Sequence, residues 1–227
     1  MHIAVLILAV LAVLVGPGLW VKSVMKRYSR PQDRYEQTGG AVARELLDAH
    51  GLEAVAVEAS GGGDHYDPVD RVIRLMPEHL EQRSLAAVTI AAHEVGHAVQ
   101  DASGYAPLKW RTRLVRWLGP VEKIGAGVLM STPLIIALTR HPVAGLLAFA
   151  GGFLALGTGV LIHLMTLPTE FDASFKRALP MLEKSGVLYR TDAPHARKLL
   201  RAAAMTYVSA SLMSLLNVAR WWAILRR

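Results

Sequence analysis

Long apolar runs alternate with polar stretches along this chain of 227 residues. The run from Ile3 to Val21 is about as long as a helix must be to cross a bilayer. Two further runs, Ile124 to Thr139 and Val143 to Leu167, are separated by only three residues, 140–142. The pattern predicts three membrane-spanning helices. A fourth stretch, Ala202 to Leu225, either spans the bilayer or packs along the cytoplasmic domain at the interface.

Basic residues flank these runs unevenly. Five Lys or Arg residues follow the first run, five precede the second and third, and Arg140 alone lies between those two. Basic residues beside membrane helices are retained on the cytoplasmic side. The C-terminal end of the first helix should therefore lie on the cytoplasmic side, and the hairpin should cross the membrane outward and return to that side. A cleaved signal peptide fits poorly, since no Lys or Arg precedes the first run. We therefore expect an integral protein of the plasma or inner membrane.

Between the first run and the hairpin, the pattern is typical of soluble structure. Apolar residues at helical spacing predict a short helix over Thr38 to His50 and a longer one over Ser84 to Ala102. Ala54 to Ala59 and Val72 to Leu75 are strand candidates, joined by a turn-rich segment over residues 60–70. The expected fold class is a mainly α-helical membrane protein with a small β-hairpin or short sheet and three to four transmembrane helices.

Composition limits the chemistry that the chain can perform. Hydrophobic residues make up 52% of the sequence and charged residues 19%, which fits a membrane protein. There is no cysteine, so disulfides and thiolate metal sites are excluded. A formal net charge of +7 is compatible with a nucleic-acid partner, but the basic residues adjoin apolar runs and no recognition motif accompanies them. Attraction to the lipid bilayer explains the charge, and we expect no nucleic-acid partner.

The longer predicted helix carries the pattern HEVGH, from His93 to His97. Residues four apart lie on one helix face, so both imidazoles can reach one metal ion. Glu94 projects beside that ion, where it can take a proton from a water molecule that zinc has acidified and return one to a leaving amine. The alternative is a pair of polar residues on a solvated helix face. The flanking residues are almost wholly apolar, which favours the metal interpretation.

A catalytic zinc ion usually has three protein ligands, and HEVGH supplies two. No histidine lies between His97 and His141, so the third ligand must come from farther away. The segment LPTEFDASFKRAL, residues 167–179, places two carboxylates on a helix predicted to start near Pro168. Acidic residues in a first turn also stabilise the helix dipole, but the need for a ligand favours a metal role. The candidates are His65, Asp67, His163, Glu170, Asp172 and His195.

Four sequence blocks together resemble the YugP-like membrane-bound neutral zinc metallopeptidases. They are GGGDHYDPVDRVIRL, SLAAVTIAAHEVGHAVQ, TLPTEFDASFKRAL and AAAMTYVSASLMSLL, in that order from about residue 60 to 216. The resemblance implies a zincin-like protease with a gluzincin-like site that holds one catalytic Zn²⁺. It implies His93, His97 and Glu170 as metal ligands and Glu94 as the base. The expected substrate is a protein or peptide, and the active site should face the cytoplasm.

The chain is more distantly similar to membrane gluzincins such as the HtpX proteases. Those proteins place an aspartate four residues after the ligand glutamate, where this chain has Ser174 and a nearby Asp172 instead. The predicted organisation has four parts. Residues 1–21 form a transmembrane helix, 22–123 the cytoplasmic part of the protease domain, 124–168 a transmembrane hairpin, and 169–227 the third-ligand helix with a C-terminal apolar helix.

Two alternatives concern residues outside HEVGH. His65 and Tyr66 belong either to a hairpin turn or to a substrate site in which Val72 to Leu75 is an edge strand that pairs with an extended peptide. Tyr207 either satisfies its hydroxyl locally or donates to a tetrahedral oxyanion.

The opposing hypothesis for the whole chain is a membrane adaptor or chaperone with a structural zinc. Such a zinc usually has four protein ligands and no open position. A fourth ligand would favour this hypothesis, and the candidates for it are His65, Asp67, Asp172 and His195.

Overall fold

A computed structural model of the chain describes the backbone of residues 2–225 and the side chains of residues 12, 15–121, 123–141, 143–155, 157–160 and 162–212. The chain is mainly helical and forms two compact units. The first, called here the hairpin unit, comprises residues 1–17, 110–167 and 207–227. The second, called the mixed unit, comprises residues 18–109 and 168–206.

The elements run in the following order along the chain. They are α1 (His2–Tyr28), α2 (Gly39–Asp48), β1 (Ala56–Ala59), β2 (His65–Asp67), β3 (Val72–Leu75), α3 (Pro77–Leu80), α4 (Leu85–Ala102), α5 (Ala106–Thr139), α6 (Pro142–Phe171), a π-helix (Asp172–Ala178), α7 (Leu179–Ser185), a short 3₁₀ turn (Arg190–Asp192) and α8 (Ala193–Leu225).

Two helical stretches among the described residues are long and apolar enough to cross a membrane, Ala106–Thr139 and Val143–Ser185. Most of each stretch belongs to the hairpin unit. Arg140 takes a left-handed backbone conformation, with φ of 49°, and separates α5 from α6 as the sequence predicted. Most side chains of the predicted span over residues 3–21 are outside the described residues. The expected number of three to four membrane-spanning helices therefore stays a prediction.

Glycines allow α5 and α6 to pack closely. A Cβ atom on Gly152 would lie 2.9 Å from the backbone oxygen of Gly125 and 2.8 Å from Leu129 Cγ. A Cβ on Gly125 would overlap the Cβ of Ala155. Two helices without side chains at the crossing point can approach more closely than bulkier residues allow. Gly125 and Gly152 therefore permit close packing of α5 against α6.

The mixed unit contains a three-stranded sheet in the order β1-β3-β2. Strand β3 pairs in parallel with β1 and antiparallel with β2. The prediction of strands near Ala54–Ala59 and Val72–Leu75 is confirmed, but the alternative in which Val72–Leu75 is an edge strand that pairs with a peptide is wrong. It is the central strand, and its backbone groups are already hydrogen-bonded on both sides.

The segment predicted as a turn contains the short strand β2. Its central residue, Tyr66, is buried, whereas His65 is exposed, as expected for alternating sides of a strand. The turn itself follows, where Asp67 Oδ1 accepts hydrogen bonds from the backbone N–H groups of Val69 and Asp70 at 2.8 and 3.2 Å. A three-residue strand surrounded by turn-forming residues is too short for its alternation to be recognised in the sequence.

Helix α4 lies at the centre of the mixed unit. Ser84 caps its start, since its hydroxyl oxygen accepts a hydrogen bond from the N–H of Ala87 at 3.1 Å. At its end, Gly104 has φ of 68°, and the N–H of Tyr105 donates to the carbonyl oxygen of Gln100 at 2.9 Å. The predicted helix over Ser84 to Ala102 is thereby confirmed. Nearly every side chain along it is buried, against α2 on one side and the π-helix on another.

Candidate metal centre

The three residues singled out in HEVGH all lie on buried turns of α4. His93, Glu94 and His97 are each less than a tenth exposed. The two imidazoles lie next to each other, with ring centres 4.8 Å apart and planes at 78°. Imidazoles and a carboxylate are costly to bury in an apolar helix unless polar partners compensate for lost solvation. The arrangement therefore requires a charged or polar counterpart from another part of the chain.

Glu170 supplies that counterpart. It is 1% exposed, and its Oε2 atom lies 3.1 Å from His93 Nε2 and 3.4 Å from His97 Nε2. Among the described residues, these three form one group whose possible ligand atoms all lie within 4.8 Å of one another. The structure thus brings a carboxylate from residues 167–179 onto the histidine pair, across more than seventy positions of sequence.

The backbone around Glu170 differs from the prediction. No helix starts near Pro168, because α6 continues through that proline and ends at Phe171. Glu170 lies in the last turn of α6, so stabilisation of a helix dipole by an acidic first turn does not explain its presence. The chain then widens into the π-helix Asp172–Ala178. π-Helical turns are rare and occur often at functional sites.

The distances fit a metal ion bonded to all three side chains. Zinc binds histidine nitrogen and carboxylate oxygen at about 2.0–2.1 Å with tetrahedral geometry. Two ligand atoms on such an ion are therefore separated by about 3.3–3.4 Å. The observed separations between Glu170 Oε2 and the two Nε2 atoms are 3.1 and 3.4 Å. A single metal ion can be held by His93, His97 and Glu170, and this donor set suits Zn²⁺.

The outward-facing nitrogens of both imidazoles have oxygen partners. His97 Nδ1 lies 2.9 Å from Gln100 Oε1, and His93 Nδ1 lies 3.1 Å from the hydroxyl of Ser174. Metal-binding histidines commonly donate their second ring N–H in this way, which orients the ring and directs the other nitrogen toward the ion. Ser174, four residues after Glu170, therefore contacts the first histidine.

Asp172 lies beside the centre without belonging to the group of possible ligands. Its Oδ1 atom accepts hydrogen bonds from Gln100 Nε2 at 2.9 Å and from Arg177 Nε at 2.8 Å. Its carboxylate supports the polar surroundings of His97.

The other candidate ligands have partners elsewhere. His65 is exposed and contacts the carbonyl of Gly63, Asp67 accepts from Arg74, and His195 Nδ1 lies 2.9 Å from the Tyr28 hydroxyl. His163 belongs to the hairpin unit. In the part of the chain that the structure describes, no fourth residue joins His93, His97 and Glu170.

The two tyrosines considered at the sequence level also have defined surroundings. Tyr66 donates a hydrogen bond from its hydroxyl to Asp101 Oδ2 at 2.9 Å, near the end of α4. Burial and the nearby Asp101 carboxylate raise the pKa of Tyr66 well above its usual value, so its hydroxyl stays protonated. Tyr207, in the hairpin unit, accepts a hydrogen bond from Arg111 Nη2 at 3.2 Å.

A close contact between backbones holds the two ligand-bearing segments together. Gly96 lies between the two histidines, and a Cβ atom there would be 2.7 Å from the carbonyl oxygen of Ala173. No side chain fits in that space, because backbone atoms cannot rotate away as the end of a flexible side chain can. The glycine thus permits α4 to approach the start of the π-helix, and with it Glu170.

Replacement of Gly96 by Ala is therefore expected to destabilise the protein by about 1–3 kcal/mol, as overpacking typically does. It should also weaken zinc binding, since α4 must move away from Ala173. Thermal unfolding in detergent and zinc titration measure the two effects. Gly127→Ala is the matched control, because a Cβ at Gly127 of α5 meets nothing within 4 Å. An alanine at 96 with unchanged unfolding temperature and zinc affinity would contradict the contact.

Gln100 and Ser174 were not identified as site residues from the sequence. Gln100 follows His97 by three positions, so it lies on the same face of α4 in an otherwise apolar stretch. This spacing was the sequence signal that could have identified Gln100 as a site residue. Ser174 had no comparable signal, because its approach to His93 depends on the course of the π-helix.

An HExxH helix with two buried histidines, joined by a glutamate from a second segment, is the arrangement of a zinc metallopeptidase centre. The chain belongs to the family described as "Putative neutral zinc metallopeptidase", which matches residues 3–226. It is 36% identical over 212 residues to the "Putative membrane protease YugP" of Bacillus subtilis (strain 168), an alignment that covers 91% of this chain and 90% of that protein. No solved structure matches the chain. The family resemblance inferred from the four sequence blocks is thus confirmed.

Proposed function

We propose that the protein is a membrane-anchored, zinc-dependent metalloendopeptidase. The observation that carries this proposal is the convergence of His93, His97 and Glu170 on one point, next to Glu94 on the same buried helix. The family description and the name of the Bacillus subtilis relative support both the metal and the membrane association.

Each residue has a defined role in the proposed reaction. His93, His97 and Glu170 would hold the ion, which would supply a Lewis acid for the scissile carbonyl and lower the pKa of water. Glu94 accepts a proton from the attacking water and returns one to the nitrogen of the leaving amine. Its position next to His93 on the buried helix is the one that the general base occupies in the HExxH pattern.

Three protein ligands favour catalysis over a structural role. A structural zinc ion is usually closed by four protein side chains, whereas a catalytic ion keeps one position open for water or substrate. The group found among the described residues has three members. Asp172 and His195, two candidates for a fourth ligand, are engaged by Gln100 and Tyr28. A membrane adaptor with a closed zinc site is accordingly the weaker hypothesis.

The proposed topology follows from the charge pattern and the two candidate spans. Residues 1–21 and 124–168 anchor the chain as a transmembrane helix and hairpin. Residues 22–123 and 169–227 contribute the protease domain and the third-ligand segment on the cytoplasmic side. The active site then faces substrates in the cytoplasm or at the membrane surface.

Zinc removal tests the proposed function directly. The full chain, purified in detergent, is expected to cleave an unfolded protein such as casein, to lose this activity after dialysis against a chelator, and to regain it with about one equivalent of zinc. Mass spectrometry of the products should show cuts within the substrate chain, as an endopeptidase requires. Cleavage by the metal-free protein at the original rate would refute the proposal.

A further inference from the structure

A chain of buried polar groups connects the second histidine of the metal centre with the segment that bears the third ligand. Gln100, fully buried, lies between them. Its Oε1 atom is 2.9 Å from His97 Nδ1, and its Nε2 atom is 2.9 Å from both the carbonyl oxygen of Thr169 and Oδ1 of Asp172. All three contacts have hydrogen-bond length.

The partners of Gln100 determine which way its amide points. A backbone carbonyl and a carboxylate only accept hydrogen bonds, so the group that faces Thr169 and Asp172 must be the NH₂. The amide oxygen must then face His97. An oxygen at that position accepts a hydrogen bond, which requires a proton on His97 Nδ1. The neutral imidazole consequently carries its lone pair on Nε2, the atom that lies 3.4 Å from Glu170 Oε2.

The same side chain joins the two ligand-bearing elements. Thr169 and Asp172 stand on either side of Glu170 in sequence, at the transition from α6 to the π-helix. Because one amide group donates to both of them, it fixes the backbone on which Glu170 is carried. Gln100 therefore sets the ring orientation of one ligand and the position of another.

A second layer keeps Asp172 in place. Arg177 Nε donates to Asp172 Oδ1 at 2.8 Å, and the Arg177 guanidinium lies 5.6 Å from the ring centre of Tyr105. Burial and the Asp172 carboxylate raise the pKa of Tyr105, which keeps that ring neutral beside the guanidinium. Arg177 follows Asp172 by five residues in the π-helix. The wider turn of a π-helix, with its i to i+5 spacing, allows the two side chains to meet.

We propose that Gln100 is a positioning residue of the metal centre. Its hydrogen bonds to Thr169 and Asp172 hold the amide of Gln100 in place. The amide thereby orients His97 for metal binding through Nε2 and holds the Glu170 segment against α4. The inference rests on the proposed function in that it takes His97 and Glu170 to be metal ligands. It assigns Gln100 no contact with substrate or with the ion.

Zinc affinity of the full chain in detergent, measured by competition with a chromophoric chelator, tests the inference. Gln100→Met removes all three hydrogen bonds at similar volume and is expected to weaken zinc binding about 10–100-fold, the usual effect of losing an outer partner of a metal ligand. Gln37→Met is the matched control, since Gln37 donates to Glu45 of α2. The control should bind zinc as wild type does. Equal affinity of Gln100→Met and wild type would overturn the inference.

A pair of nearly isosteric variants separates positioning from a general effect on folding. In Gln100→Glu, one oxygen can still accept from His97, but the other faces the Asp172 carboxylate and the Thr169 carbonyl, so zinc binding should weaken. Adding Asp172→Asn removes one like charge and provides an NH₂ that can donate to the new carboxylate, although this NH₂ then replaces the oxygen that accepts from Arg177. The double variant should therefore recover part of the lost affinity. A double variant that binds zinc no better than Gln100→Glu would refute the proposed role of the hydrogen bonds between Gln100 and the Glu170 segment.

Failure of this inference can be told apart from failure of the proposed function. If wild-type protein binds one zinc ion and cleaves protein but Gln100→Met retains full affinity, only the role of Gln100 is wrong. If wild-type protein binds zinc but cleaves nothing, the peptidase proposal fails, while a weakened Gln100→Met variant still supports the positioning role.

Discussion

Replacement of Glu94 by Gln is expected to leave zinc bound and to reduce peptide hydrolysis by about 10²–10⁴-fold, the usual contribution of a general base. The carboxamide has nearly the same size as the carboxylate, so the buried helix can accommodate it. It cannot take a proton from water or carry one to the leaving amine. The three proposed ligands remain in place, because none of them is altered.

Two measurements on the same preparation check this outcome. Metal analysis gives the zinc content per chain, and the initial rate of casein cleavage gives the activity. Glu183→Gln, the same chemical change at an exposed position of α7, should keep both values at the wild-type level. A Glu94→Gln variant with full activity would exclude Glu94 as the base.

Replacement of Glu170 by Ala is expected to remove most bound zinc. The two remaining histidines should bind the ion at least about 100-fold more weakly, since loss of a direct ligand exceeds the 10–100-fold cost of losing an outer partner. Hydrolysis should fall in parallel, because the centre is then mostly empty at micromolar zinc. Equilibrium dialysis against graded zinc concentrations measures the affinity, and Glu183→Ala is the exposed control.

Excess zinc distinguishes the two variants. It should refill part of the Glu170→Ala population and restore some cleavage, whereas it should do nothing for Glu94→Gln, whose centre is already occupied. Glu170→Gln, which preserves volume, provides the comparison if the alanine variant unfolds. Normal zinc stoichiometry and affinity in both Glu170 variants would move the third ligand elsewhere.

Helices α2 and α4 followed from local sequence signals, because apolar residues at helical spacing predicted both of them. Ser84 at the start of α4 and Gly104 after its end are capping residues that act through neighbouring backbone groups, so their effect is visible within a few positions of sequence. Strand β2 was not predicted, because the features that define it are not local. Its pairing with β3 and the burial of Tyr66 depend on partners outside the segment.

The residues of the candidate metal centre also differ in whether local sequence signals predict them. HEVGH on one helix face predicted two histidines and a base, because helix geometry alone brings positions four apart together. The sequence limited the third ligand to a few candidates, and the family resemblance pointed to Glu170. Its actual position could not be predicted from an expected helix start at Pro168, since α6 passes through that proline and changes to a π-helix.

The sequence by itself determined which side chains are available for the chemistry: two histidines and a glutamate on a buried helix, no thiolate, and apolar runs suited to a membrane. Only the tertiary structure decided how the centre is assembled. The absence of a side chain at Gly96 lets two backbones approach, and the amide of Gln100 joins His97 to the residues around Glu170. These contacts join positions about seventy residues apart, and their strength depends on distance and burial, which no local pattern encodes.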